Sequence, residues 1–147
     1  MPFDIEELML ESIQDFDSLL KSGQKIIYNH IGDRVILSDK SALKHIFQNL
    51  VSNALKFSRE NSEVLVETTA LNHTLTLKIQ DFGIGIPKVD QTHLFERFYR
   101  AQNAMNIKGT GLGLHIVAKY VELLKGSIEC SSEENKGTEF IIVLENV

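Results

Sequence analysis

Two runs in the middle of the chain, EVLVETTAL at residues 63 to 71 and LTLKIQD at 75 to 81, are rich in β-forming residues and are parted only by Asn72, His73 and Thr74. Turn-forming residues between two such runs predict a hairpin. A second pair, SIECSS at 127 to 132 and GTEFIIVLE at 137 to 145, repeats the pattern at the C-terminal end. Sheets built from hairpins are antiparallel, and an apolar sheet face must be covered by another layer. The chain supplies that layer as helical stripes. Residues 41 to 57 place Leu43, Ile46, Phe47, Leu50, Val51 and Ala54 on one stripe, with Ser38 or Asp39 as the N-cap. Residues 112 to 125 carry Ile116, Val117, Tyr120, Val121 and Leu124, with Gly126 where a left-handed cap belongs. Residues 4 to 20 keep helical spacing at Ile5, Leu8, Met9, Ile13, Phe16 and Leu19 or Leu20, and Gly23 follows as a stop. KIIYNHI and VILSD read as short strands between the first two helices. Strands and helices come in mixed order without regular βαβ alternation. The expected fold is therefore α+β, with helices over one face of a largely antiparallel sheet.

Bulk properties restrict the function without naming it. With 147 residues the chain is predicted to form one domain spanning residues 1 to 147. A chain of this size buries about two-thirds of the surface its unfolded form exposes, enough for a core without staples. The net charge of -5 excludes a general nucleic-acid binder, so any basic groups that matter must act locally. Cys130 is the only cysteine, which leaves no intramolecular disulfide and no cysteine-based zinc site and fits a reducing cytosol. No apolar run approaches the ~18 residues a membrane span needs, and MPFDIEELML has acids where a signal peptide carries bases. The expectation is a chain that neither crosses a membrane nor is exported, and that is cytoplasmic.

Three local patterns carry chemistry. KGTGLGLHIV, residues 108 to 117, has glycines at 109, 111 and 113 running into an apolar helix. A dinucleotide fingerprint would need glycine where Leu114 stands, and a P-loop would need a second glycine and lysine that are absent at the required spacing. What remains is a set of glycines at a helix N-terminus, where free N–H groups attract anions. Taken alone, the cluster reads as a flexible turn before a buried helix rather than as a phosphate site. DFGIGIP, residues 81 to 87, sets Asp81 at a strand end with Gly83 and Gly85 around Ile84 and Ile86. An ionised carboxylate there can accept from the exocyclic amine of adenine while the glycines admit a flat ring, although a solvated surface turn fits the same residues. The third pattern lies on the helix SALKHIFQNLVSNALKFS. Asn49, Asn53 and Lys56 share one face beside the apolar stripe. Asparagine is a poor helix former, and an amide oxygen is a hard ligand suited to Mg²⁺ shared with phosphates. Lys56 would meet a phosphate as a point charge.

Taken together, NLVSNALKFS, DFGIGIP, LFERFYR, GTGLGLHI and GTEF stand in the order and approximate spacing of the N, G1, F, G2 and G3 boxes of sensor histidine kinases. Residues 36 to 147 closely resemble the ATP-binding catalytic domain of those proteins, within the superfamily that includes gyrase, HSP90 and MutL. The resemblance implies a Bergerat-type two-layer α/β sandwich with an ATP lid, residues 1 to 23 forming a domain-proximal helix and lead-in. It implies ATP and Mg²⁺ as ligands. Asp81 would read the adenine amine, Gly83, Ile84, Gly85 and Ile86 would lie beside the ring, and Thr138 would reach it through water. Asn53 and Asn49 would hold Mg²⁺ and phosphates, with Lys56 near the triphosphate and Phe57 packing near the nucleotide. Lys108, Gly109, Thr110, Gly111, Leu112, Gly113 and Leu114 would form the lid. Arg97, between Phe95 and Phe98, would stand near the γ-phosphate, and Arg100 is a second candidate.

The implied reaction is phosphoryl transfer to a histidine, with Asn49, Lys56 and Arg97 as the catalytic set. In the ATP-hydrolysing members of the superfamily a water-activating glutamate stands where this chain has Asn49, which favours kinase use over an ATPase or ATP-driven clamp. The five histidines, 30, 45, 73, 93 and 115, lie outside any phospho-acceptor box. The resemblance therefore implies a donor half whose partner is a separate histidine-bearing dimerisation domain, with a response regulator served indirectly. The chain reads as a monomeric piece of a longer parent that is anchored in the inner membrane by segments outside it, with no membrane or nucleic-acid contact of its own.

Overall fold

The computed structural model describes residues 1–104 and 112–147. A short strand β1 (Pro2–Asp4) leads into helix α1 (Ile5–Gln14), whose N-cap Asp4 accepts from the Glu7 amide at 3.0 Å. Strands β2 (Lys25–Gly32) and β3 (Val35–Leu37) follow, and β3 pairs antiparallel with β1. Helix α2 (Lys40–Lys56) starts at Asp39, which accepts from the Ala42 amide at 3.0 Å and so settles the cap between the two candidates. Then come the hairpin β4 (Glu63–Leu71) and β5 (Thr74–Asp81), 3-10 turns at Lys88–His93 and Gln102–Ala104, helix α3 (Gly113–Leu123), and the closing hairpin β6 (Ser127–Glu133) and β7 (Gly137–Glu145).

Five strands form one sheet in the order β2-β4-β5-β7-β6. Both hairpins are antiparallel, and β5 pairs antiparallel with β7. Only β2 lies parallel to its neighbour, β4. Parallel neighbours need a crossover, and α2 provides it. Strict alternation along the three central strands turns one face inward: Val64, Val66, Ala70, Leu75, Leu77, Ile79, Phe140, Ile142 and Leu144 are all buried. The register sets Val66 against Ile79, Ile79 against Phe140, and Leu77 against Ile142, so the rows run across strands. The α2 stripe of Leu43, Ile46, Phe47, Leu50 and Val51 lies over this face, with none of the five more than 1% exposed. Each such side chain stabilises the fold by roughly 1.5–3 kcal/mol. Val117 and Val121 of α3 and Ile5, Leu8 and Met9 of α1 complete the core.

Two expectations need correction. The first helix stops at Gln14, six residues before the periodicity ends. Asp15 and Asp17 oppose the helix dipole at a C-terminus, and Phe16 leaves the helical path to bury its ring at 5% exposure. The residues that follow serve α2 instead: Lys21 Nζ donates to the carbonyls of Lys56 (3.0 Å) and Ser58, and Gln24 Nε2 donates to that of Leu55 at 3.2 Å. The second correction concerns the end of α3. Lys125 takes the left-handed backbone, φ 57°, and Gly126 does not. Gly126 is needed for closeness, since a Cβ there would fall 2.3 Å from Leu144 Cδ2.

Candidate functional site

The ends of β5 and β7, the inner face of α2, the first turn of α3 and the segment after Pro87 enclose a cavity of about 330 Å³. Its floor at one end is Asp81, the last residue of β5, only 6% exposed. Burial pushes the Asp81 carboxyl up to about 6, against backbone N–H bonds from Gly83 and Thr138 that hold it down. The Gly83 amide donates to Asp81 Oδ1 at 2.9 Å. Glycine is required at 83 because a Cβ would sit 2.0 Å from the Phe57 carbonyl oxygen, which ties the loop to the end of α2. Gly85 has φ +68°, a backbone other residues resist, and a Cβ there would meet the Glu133 carbonyl at 2.1 Å. Ser132 Oγ accepts from the Ile86 amide at 2.8 Å, and Gln91 Nε2 donates to the Ile86 and Ser132 carbonyls. The loop is thereby locked to the β6–β7 hairpin.

The other end is built on α2. Helical spacing brings Asn49, Asn53 and Lys56 to the cavity wall as expected. Asn49 Nδ2 donates to the His45 carbonyl at 2.8 Å, which leaves its Oδ1 pointing elsewhere. A Cβ on Gly113 would lie 3.5 Å from Asn49 Oδ1, 3.6 Å from Asn53 Oδ1 and 3.7 Å from Asn53 Nδ2, so both side-chain amides face the start of α3. Among the described residues no cluster of three His, Cys, Asp or Glu side chains could hold a metal. The amide oxygens of Asn49 and Asn53 are, by contrast, hard neutral ligands of the kind Mg²⁺ takes when it completes its shell with phosphates and water.

Phe57, Ile84, Gly85, Ile86, Leu112, Gly113, Leu114 and Thr138 also line the cavity. Gly83 is not among the lining residues and reaches the site through its amide bond to Asp81. Phe95 packs edge-on against Phe140, 6.4 Å between centroids, and its carbonyl meets His115 Nδ1 at 3.2 Å. Arg97 is exposed and sits 5.1 Å from the centroid of the Phe98 ring, away from the cavity wall. Arg100 lines the wall and donates to the Ala104 carbonyl at 2.9 Å. Lys108, Gly109, Thr110 and Gly111 lie outside the described residues. Sequence reasoning missed Ser52, Tyr99 and Asn103, all on the wall. Tyr99 was legible only as part of an aromatic cluster, yet its hydroxyl donates to the buried Asp90, which fixes the ring. Nothing in AQNAMN distinguishes Asn103.

The cavity thus has a buried carboxylate beside a glycine-containing loop at one end and two side-chain amides with a lysine at the other. Known proteins of this shape are numerous. Residues 38–147 match the family model described as histidine kinase-, DNA gyrase B-, and HSP90-like ATPase. The signal transduction histidine-protein kinase ArlS of Staphylococcus aureus (strain USA300) is 40% identical over 102 residues, 68% of this chain and 23% of that protein. The chain thus spans about a quarter of the length of the curated relatives it matches. The mycobacterial sensor histidine kinase MprB superposes with a TM-score of 0.86 at 28% identity, covering 99% of this chain and 97% of that one. Full-length ShkA in complex with AMPPNP gives 0.85 at 26% identity, covering 100% of this chain and 31% of that one.

Proposed function

The chain belongs to the histidine kinase-, DNA gyrase B- and HSP90-like ATPase family, and from that premise we propose that it is the ATP-binding catalytic domain of a two-component sensor histidine kinase. The observation that carries the reading is the pairing, in one cavity, of buried Asp81 with the side-chain amides of Asn49 and Asn53. Adenine enters at the Asp81 end, its amine donating to the carboxylate, with Ile84, Gly85 and Ile86 against the ring and Thr138 beside it. The triphosphate runs toward Asn49, Asn53 and Lys56 near the N-terminus of α3, whose free amides attract anions. Asn49 and Asn53 would hold a Mg²⁺ ion there, which would supply charge neutralisation to the phosphates. Arg100 lines the cavity and Arg97 does not, which supports Arg100 as the arginine that meets the nucleotide.

In the reaction an imidazole nitrogen of a separate dimerisation domain attacks the γ-phosphorus, the bond to the β-phosphate oxygen breaks, and ADP leaves. A response regulator then receives the phosphoryl group from that histidine. Catalysis of this kind is positioning and charge stabilisation, which the chain's own groups supply without a covalent nucleophile. Asn49 stands where a water-activating base would be needed for hydrolysis, and an amide cannot take a proton at neutral pH. That supports kinase use over an ATP-driven clamp. Among the described residues no helix is long and apolar enough to cross a membrane.

The test is titration with ATP and Mg²⁺ by calorimetry, followed by incubation of chain and labelled ATP with a dimerisation fragment of the staphylococcal relative. Binding, slow hydrolysis and label on the fragment's histidine are expected. Rapid acceptor-free hydrolysis would sink the kinase reading in favour of the clamp.

A further inference from the structure

Between Pro87 and Ala104 the chain leaves the cavity and returns to it. Leu94 lines the wall, Glu96, Arg97 and Phe98 are exposed, and Tyr99, Arg100 and Ala101 line the wall again. The reversal falls at Phe98, which takes the left-handed backbone, φ 65°, with 61% of its surface open to solvent. A bulky residue keeps such a backbone only where its surroundings impose it. The segment that follows must therefore be fastened.

Tyr99 supplies the first fastening. Its hydroxyl donates to Asp90 Oδ1, and its ring lies tilted against that of His93 with 5.2 Å between centroids. Asp90 is 1% exposed and belongs to the 3-10 turn Lys88–His93. That turn is itself anchored, because the Asp90 amide donates to the Pro87 carbonyl at 2.9 Å and Gln91 Nε2 donates to the carbonyls of Ile86 and Ser132. A second fastening lies downstream, where Asn103 Nδ2 donates to the Gly85 carbonyl at 3.0 Å. Arg100 stands between the two, and its bond to the Ala104 carbonyl is made within the segment itself.

We propose that Tyr99 is a positioning residue for Arg100, its bond to the buried Asp90 carboxylate holding the segment on the cavity wall so that the guanidinium next in sequence meets the phosphates of the nucleotide. The proposal rests on the ATP reading and extends it. A guanidinium forms its paired bonds to phosphate only from a fixed geometry. Its contribution to affinity shrinks with the fraction of molecules in which the segment stands elsewhere. An ionised carboxylate is a suitable anchor, since it accepts a shorter and stronger bond than a neutral oxygen does.

The experiment titrates the wild-type chain, Tyr99→Phe, Arg100→Ala and the double variant with Mg-ATP by calorimetry. Phenylalanine keeps the ring and removes the hydroxyl that reaches Asp90. Arg100→Ala should weaken binding by about 10- to 100-fold, the worth of charge-assisted bonds to phosphate. Tyr99→Phe should weaken it by about three- to tenfold, as the competent fraction falls. Added to Arg100→Ala, the same change should cost less than about twofold, because no guanidinium is left to place. A purely structural loss, or direct contact of the Tyr99 hydroxyl with the nucleotide, would be the same in both backgrounds. A misfolded fraction lowers the stoichiometry and leaves the constants intact. An equal loss with and without the arginine overturns the proposal, and so does wild-type affinity in either single variant. If the wild type does not bind Mg-ATP, the ATP reading itself fails and this proposal goes with it.

Discussion

The two ends of the cavity are made of different materials. The Asp81 end is a junction of strand ends and a glycine-containing loop, in which Gly83, Ile84, Gly85 and Ile86 are each pinned by backbone contact to α2 or to the β6–β7 hairpin. The Asn49 end is one face of one helix, with side chains placed by helical spacing and nothing more elaborate. The first is rigid because many distant segments must agree. The second is positioned as long as α2 is helical. On the proposed ATP reading this contrast separates the consequences of substitution: changes at the first end are expected to act on the base and on fold stability together, and changes at the second on the phosphates alone.

The largest effect is expected at Asp81. Asp81→Asn removes a charged acceptor and should weaken ATP binding by about 100-fold, with or without Mg²⁺. The same change should stabilise the nucleotide-free protein at pH 8. The folded carboxyl titrates at about 6 and the unfolded one at 3.8. Between these values the native state binds a proton that the unfolded chain does not, so the stability Asp81 contributes is full below pH 4 and is lost as pH rises through 6. Asparagine mimics the neutral form at every pH. Thermal melts across pH 4 to 8 should show the variant gaining up to about 3 kcal/mol at the alkaline end and nothing at the acid end. A variant that is less stable at pH 8 would mean that the carboxylate is needed for folding, and the two roles would no longer be separable.

The same contrast explains what could be read from the sequence. α2 was legible almost to the residue, because its stripe, its Asp39 cap and its polar face obey one period, and the shared face of Asn49 and Asn53 follows from that period. Both hairpins were legible for the same reason. Asp81 was legible through its glycine neighbours. The pairing of Gly83 with the Phe57 carbonyl was not, since it joins segments that only the folded topology brings together. Asn103, Tyr99 and Ser52 were missed because no local pattern marks a residue whose role is to face a cavity. Which of Arg97 and Arg100 reaches the cavity wall depends on the path of an irregular segment, where Phe98 adopts φ 65° and helical or strand spacing gives no guidance.

A smaller and narrower effect is expected at the helical end. Asn53→Ala should reduce Mg-ATP affinity by about tenfold, within the range set by loss of one cation ligand and its hydrogen bonds. Binding of ATP in the presence of a chelator should change by less than about twofold, the spread expected of a surface substitution. Isothermal titration in the two buffers reads the difference directly. An equal loss in both would place Asn53 on the base or the sugar instead of the metal and phosphates.

The smallest effect tests whether the helical end stands by itself. Lys21 binds the carbonyls of Lys56 and Ser58 at the C-terminus of α2, a cation where the helix dipole favours one. Its ammonium is largely solvated, so Lys21→Met should cost less than about 1 kcal/mol of stability in chemical denaturation. Asn49 and Asn53 lie further inside the helix, where intrahelical bonds hold the backbone whatever happens to the last turn. Their side-chain amides should therefore keep facing Gly113, and Mg-ATP affinity should stay within about twofold of the wild type. If affinity falls as far as it does in Asn53→Ala, the end of α2 is held by the lead-in segment rather than by its own helix. The site would then depend on residues 21 to 24 as much as on the face that carries its ligands.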